Sequence, residues 1–210
     1  MKTKTDYKIL GIMSGTSLDG VDLALCSFSK DKKWKYEIQK TKTILYPKDW
    51  KEKLNYLYQK SNKEIAEANF EYGKYLAILI LKFKQEHQLS FDYIASHGHT
   101  IFHQPENNFT LQIGCGKTIS ETTKITTIND FRSLDISLGG QGAPLVPIGD
   151  LHLFTEYKYC LNLGGFSNIS IKEKEKIIAF DICPVNIVLN QLSQNLGLEF
   201  DKNGDLAKSG

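Results

Sequence analysis

Two stretches of this chain share one pattern, apolar run, polar glycine turn, apolar run, and that repetition constrains the fold more than any other feature. The first is Gly11-Ile12-Met13-Ser14-Gly15-Thr16-Ser17-Leu18-Asp19-Gly20-Val21-Asp22, set between the mainly apolar runs 8–10 and 21–28. The second is Gly164-Gly165-Phe166-Ser167-Asn168, between residues 159–163 and 169–171. Each reads as strand, turn, strand. In the first, Gly11, Gly15 and Gly20 let the backbone turn tightly and bring amides close to a ligand. Thr16 and Ser17 add hydroxyls, and Asp19 and Asp22 suit a hydrated cation. These residues equip a phosphate and magnesium site; they equally suit a plain hairpin rich in turn residues.

The segments between the two turns read as an α/β domain. Residues 35–46 mix β-branched and polar side chains and suit a third strand. Pro47 fits the start of a helix with Trp50, Leu54, Leu57 and Tyr58 on one face. Ser61 and Glu64 form a capping box ahead of the stripe Ile65, Ala68, Tyr72, Leu76, Leu79 and Phe83, which predicts a helix to about residue 87. Short strands follow at 91–96, 109–113 and 125–129, with a helix at 116–123. The polar segment 97–104 and the residues Asp130 and Arg132 fall just past strand ends, where sheets of this kind bind ligands. Residues 138–144 break regular structure. The expected division is a first domain over 1–152, with a mixed five-stranded sheet and flanking helices, and a second over 153–210 that begins like the first and stops short. In the second, a strand at 177–180 ends at Asp181, and Pro184 opens a helix carrying Val185, Val188, Leu189, Leu192 and Leu196.

Composition narrows the function. A net charge of +2 over 210 residues gives no general attraction for nucleic acid or a membrane surface, so an anionic ligand must be met locally. The helix aromatics Trp50, Tyr72 and Phe83 form a core stripe and offer bases no stacking platform. A polar start and the lack of any run of membrane-spanning length place the protein in the cytoplasm. Cys26, Cys115, Cys160 and Cys183 are widely spaced and are expected to be reduced and mostly buried.

Two similar units, each opening on a glycine-turn hairpin, suggest two like domains gripping one polyphosphate, the architecture of the actin, hexokinase and Hsp70 superfamily with its ribonuclease-H-like core. The motifs sharpen this. Residues 11–22, Ser96-His97-Gly98-His99-Thr100-Ile101, Asp130-Phe131-Arg132 with Asp135, residues 139–147, and Leu161-Asn162-Leu163-Gly164-Gly165-Phe166-Ser167-Asn168 occur in one order. Together they closely resemble the anhydro-N-acetylmuramic acid kinases, over nearly the whole chain, although that family's enzymes are considerably longer. The resemblance implies a cytoplasmic enzyme using ATP and magnesium. It would open the 1,6-anhydro ring of anhydro-N-acetylmuramic acid with water and phosphorylate the freed O6, giving N-acetylmuramic acid 6-phosphate in peptidoglycan recycling. The expected partners are the sugar and ATP, with a homodimer as candidate assembly.

For the base that activates water, Asp181 matches the family's aspartate, and its position also suits a carboxylate held by helix N-terminal amides or a simple helix cap. Here the chain departs from the family, carrying Asp181-Ile182-Cys183-Pro184-Val185-Asn186 where a glycine flanks the proline on either side. Asp130 is the rival base and is preferred as a substrate or magnesium contact, beside Arg132 gripping the lactyl carboxylate or a phosphate. Asp135 is read as orienting Arg132 or its loop. His97 is assigned to the substrate loop, and His99 stands where the family usually shows glutamine. The phosphate grips are Gly11, Ser14, Gly15, Thr16, Ser17, Asp19 and Gly20 on one side and Gly164 and Gly165 on the other, with Asp19 holding magnesium through water. Two other readings stand beside the kinase: a sugar- or peptidoglycan-fragment-binding module without chemistry, and a zinc hydrolase built on His97, His99 and His103.

Overall fold

Strand β1 (Asp6–Met13) is the axis of the first sheet: it pairs antiparallel with β2 (Gly20–Lys30), which pairs antiparallel with β3 (Trp34–Leu45). The computed structural model describes residues 6–15, 18–174 and 176–210. The chain divides into two compact units, Met1–Pro144 and Leu145–Gly210.

In the first unit, helices α1 (Lys48–Tyr56) and α2 (Asn62–Glu86) lead to β4 (Tyr93–Ser96), which lies parallel to β1 on its other side. Next come a separate hairpin of β5 (His99–Gln104) and β6 (Phe109–Ile113), then α3 (Gly116–Thr123), β7 (Thr126–Asn129) parallel to β4, and α4 (Ser133–Ser137). The sheet order is β3-β2-β1-β4-β7, and β2 alone runs against the others. This is the mixed five-stranded α/β sheet of the actin- and hexokinase-like sugar kinases.

Alternation decides which face is covered. Leu10 and Ile12 on β1, Val21, Leu23 and Leu25 on β2, and Ile94 on β4 are all buried, because side chains two apart share a face. They belong to one core with Ile65, Ala68, Tyr72, Leu76, Ile80 and Phe83, the inward stripe of α2. Burying each large side chain of that stripe contributes about 1.5–3 kcal/mol. The capping box forms as its sequence predicts: Ser61 Oγ accepts from the Glu64 amide and the Glu64 carboxylate accepts from the Ser61 amide.

Three local expectations change. Residues 99–104 are strand, paired with β6 across an irregularity between Thr100 and Phe102 that lets the adjacent Ile101 and Phe102 both pack against the core. Gly11 lies inside β1, paired with Ala24 on one side and Ala95 on the other, so the turn is confined to residues 14–19. Gly20 has ordinary negative φ and serves close packing instead, since a Cβ there would stand 2.3 Å from the Ile44 carbonyl oxygen.

The second unit contains α5 (Leu145–Leu153), an antiparallel sheet of order β10-β9-β8 made from β8 (Tyr159–Leu163), β9 (Phe166–Glu173) and β10 (Lys176–Pro184), then α6 (Asn186–Asn195) and α7 (Asp205–Ser209). Among the described residues its buried side chains are Ser167, Ser170 and Ser193, and no large apolar side chain is buried. The four cysteines are free; Cys183 is exposed, contrary to expectation, and the other three are half-buried.

Candidate functional site

Residues at the carboxyl ends of β4 and β7 build the most ordered polar cluster of the first unit. His97 follows β4, its amide donating to the Ile12 carbonyl at 3.0 Å, which locks it to β1. Its Nδ1 lies 2.9 Å from its neighbour's Gly98 carbonyl, and its Nε2 accepts from Arg132 Nε at 3.0 Å. A carbonyl can only accept and Arg Nε can only donate, so the proton sits on Nδ1 and the ring is neutral. Burial, and more weakly the Arg132 charge, hold the His97 pKa below its usual value against the upward pull of the Gly98 bond. Gly98 makes this possible: its φ is +72°, and a Cβ would stand 2.4 Å from the Ile113 oxygen.

Arg132 is bracketed from its other side. Its Nη1 donates to the Gly142 carbonyl at 2.7 Å, and the Gly142 amide donates to Asp135 Oδ2, also at 2.7 Å. The Gly140 amide adds a bond to the Asp135 carbonyl at 2.8 Å. Asp135 thus holds the loop that holds Arg132, the orienting role its sequence position suggested. Two edges of the guanidinium are occupied, and its Nη2 has no hydrogen-bond partner among the described residues. Asp130 follows β7 with φ +56°, and its Oδ1 accepts from the Ser133 amide at 3.2 Å, so one carboxylate oxygen is used at the start of α4.

The turn after β1 is less uniform than its sequence suggests. Thr16 and Ser17 lie outside the described residues. Ser14 is buried, 1% exposed, with its hydroxyl on the side of the Tyr46 and Tyr72 phenols. The Leu18 amide donates to the Gly15 carbonyl at 3.3 Å, and Leu18 adopts φ +58°, a costly conformation for a branched apolar residue. Asp19 is exposed, whereas Asp22 accepts from Thr43 Oγ1 at 2.5 Å. A single exposed carboxylate fits magnesium, which keeps most of its water shell and takes further oxygens from substrate phosphates. Gly11, being inside the sheet, has its backbone committed to strand pairing.

In the second unit the Gly164 and Gly165 carbonyls face the start of α6. Gly165 accepts from Val185 and Ile187, and Gly164 accepts from Asn186. The amides expected to steady Asp181 are therefore spent on the glycine turn. Asp181 itself lies within β10 opposite Asn168, exposed, because a bulge between Asp181 and Cys183 carries the strand on to Pro184. Ser167 Oγ donates to the Cys183 carbonyl at 3.1 Å and ties β9 to this bulge.

The three loop histidines are engaged separately: His97 as above, and His103 Nδ1 with Thr110 Oγ1 at 3.3 Å, while His99 is buried in the core. Among the described residues no group of three His, Cys, Asp or Glu side chains is placed to hold a metal. Sequence reasoning read Tyr72 as apolar stripe and missed its hydroxyl, which meets Tyr46 Oη at 2.5 Å. A tyrosine inside a helical stripe, with another at a strand end, is the signal that was available.

The chain matches the family described as anhydro-N-acetylmuramic acid kinase over residues 7–210. It is 35% identical over 96% of its length to an anhydro-N-acetylmuramic acid kinase of Bacillus thuringiensis subsp. konkukian, and 36% identical over 99% of its length to one of Pseudoalteromonas translucida. The chain belongs to the anhydro-N-acetylmuramic acid kinase family. It spans 58% of the length of these two relatives. Against that family's pattern, Cys183 and Val185 stand where glycine is expected, yet neither takes positive φ, so the backbone beside Asp181 does not require glycine here. Among the described residues, no helix is long and apolar enough to cross a membrane.

Proposed function

We propose that this chain carries the sugar contacts and part of the phosphate grip of an ATP- and magnesium-dependent cytoplasmic kinase acting on 1,6-anhydro-N-acetylmuramic acid in cell-wall recycling. The supporting observation is the Arg132 guanidinium, clamped by neutral His97 and by Gly142, with no partner on its Nη2 among the described residues. A planar fork held in this way suits a carboxylate, and the lactyl group of the sugar supplies one. Asp130 contacts a sugar hydroxyl with the oxygen that Ser133 does not use.

In the reaction, Asp181 accepts a proton from water as the water oxygen bonds to the anomeric carbon and the bond from that carbon to O6 breaks. O6 then takes the γ-phosphoryl group of ATP, and ADP leaves. Magnesium, when bound, offsets the charge of the transferring group, and Asp19 holds it through water. The amides of Ser14, Gly15 and Gly20 donate to phosphate oxygens, with Thr16 and Ser17 adding hydroxyls; in the second unit the Gly165 amide has that role, because the Gly164 amide is spent on the Phe166 carbonyl.

The test is ADP release coupled to sugar phosphorylation by a chain extended to its relatives' length. Asp181→Asn is expected to abolish turnover while leaving the thermal transition in place. Undiminished turnover in that variant would remove Asp181 as base. The 210-residue chain is expected to turn over poorly, and robust activity from it would overturn the view that its nucleotide site is incomplete. The lack of buried apolar side chains among the described residues of the second unit favours a second reading, a sugar-binding module without chemistry. Calorimetry separates the two: sugar binding indifferent to ATP and magnesium supports the module.

A further inference from the structure

Beneath the Ser14 end of the turn, the first unit buries polar side chains that neither the sheet nor the Arg132 bracket uses. Ser14, Ser96 and His99 are 1%, 0% and 3% exposed, and Ser14 Oγ, Ser96 Oγ and His99 Nδ1 lack aligned hydrogen-bond partners. Buried polar atoms in native proteins are satisfied by protein or by ordered water. Ser96 pairs across the sheet with Ile12, two residues before Ser14. Ser14 Oγ lies within reach of the Tyr46 and Tyr72 phenols and makes each easier to ionise, against the upward push of burial. The Tyr72 ring in turn stands edge-on to His99, centroids 6.3 Å apart.

Proton counting links them. The two phenols, 2.5 Å apart, carry two protons; one closes the bond between them and the other is free to go to Ser14 Oγ. His99 Nδ1 is likewise buried and unpartnered among the described residues, and the His99 ring packs edge-on against that of Tyr72, so internal water is the group that can join it to the phenols and Ser14. We infer that Tyr46, Tyr72, Ser14 and His99 form one buried hydrogen-bonded relay, completed by internal water shared with Ser96, that fixes the Ser14 turn relative to the His97–Arg132 bracket. Tyr46, Tyr72 and His99 are then positioning residues. This rests on the kinase reading only for which ligands the turn and the bracket hold.

The test compares Tyr72→Phe, Tyr46→Phe, His99→Gln and His99→Leu with the unsubstituted 210-residue chain by NMR without ligand. In the unsubstituted chain a buried hydroxyl proton is expected to exchange slowly and to show a cross-peak to bound water. Tyr72→Phe shifts both the Ser14 amide and the Arg132 Nε–H signals, and Tyr46→Phe, which cuts the same bond from its other end, does so even where Tyr72→Phe does not fold. His99→Gln keeps a hydrogen-bonding group in place and leaves Arg132 Nε–H near its original position, whereas His99→Leu moves it. Phenol variants that disturb only resonances of β3 and α2, or identical spectra for the two His99 variants, would overturn the relay. Failure of a chain extended to its relatives' length to phosphorylate the sugar counts against the kinase reading alone, because the spectra involve no ligand.

Discussion

Acidification should destabilise the first unit through His99, and the size of the effect follows from its burial. The imidazole is 3% exposed, and desolvation, with a smaller contribution from neighbouring His97, lowers its pKa from 6.5 to about 4. The unfolded chain takes up a proton near the ordinary value while the folded chain resists until about 4. Stability is therefore complete above the unfolded pKa and is lost as pH falls through it, the loss levelling off below the folded pKa. From these two pKa values the loss at about pH 5 is about 2 kcal/mol, and about 3 kcal/mol once both states are protonated. For a chain of this size the former corresponds to a fall in Tm of about 4–8 °C. His97, also lowered by burial, acts in the same direction. Urea or thermal unfolding from about pH 8 to about pH 5, on the unsubstituted chain and on His99→Gln, isolates the contribution, because carboxylate titrations cancel in the difference. His99→Gln should flatten the profile by about 2 kcal/mol, whatever it does to stability at neutral pH. Parallel profiles for the two proteins, or an NMR titration placing His99 near 6.5, would refute the reasoning.

Three further outcomes are expected. Gly98→Ala places a Cβ against the Ile113 oxygen at a residue with φ +72°; it should cost more than about 1 kcal/mol in urea unfolding, and a neutral result would show that the β5–β6 hairpin can shift to accept it. Ser61→Ala removes half of the capping box on α2, with an expected loss of about 1 kcal/mol by chemical denaturation. Arg132→Lys cannot make both the His97 and Gly142 bonds; sugar affinity measured by calorimetry should fall by about tenfold or more with little change in Tm, and unchanged affinity would remove Arg132 from the sugar site.

Much of the sheet could be read from the sequence because its signals are local. The alternation of Leu10 with Ile12 and of Val21, Leu23 and Leu25 marks the buried face, and Ser61 with Glu64 marks the start of α2. The β5 strand was hidden because His99, Thr100 and His103 give it a polar surface, and its pairing with β6 is set by Ile101 and Phe102 reaching the core. The strand-end rule put His97, Asp130 and Arg132 just past two strands, and the structure has them after β4 and β7. That rule could not supply the bond between His97 and Arg132, which joins residues 35 apart, nor the inward turn of Ser14, because both depend on side-chain directions fixed by packing. Asp181 was misplaced for a related reason: Pro184 reads as a helix opener, while the bulge and the Ser167 bond carry the strand past Asp181 as far as Pro184.

The absence of buried apolar side chains among the described residues of the second unit also bears on the order in which the chain acquires structure. A segment with little apolar burial opens locally at low free energy, whereas the α2 stripe opens only with the whole unit. In native-state hydrogen exchange, amides of β8, β9 and β10 should therefore lose protection well before those of β1 and α2. During synthesis the first unit, emerging first with its core complete in sequence, can fold before residues 145–210 have left the ribosome. The unit that carries Asp181 then becomes rigid after the one that carries the His97–Arg132 bracket.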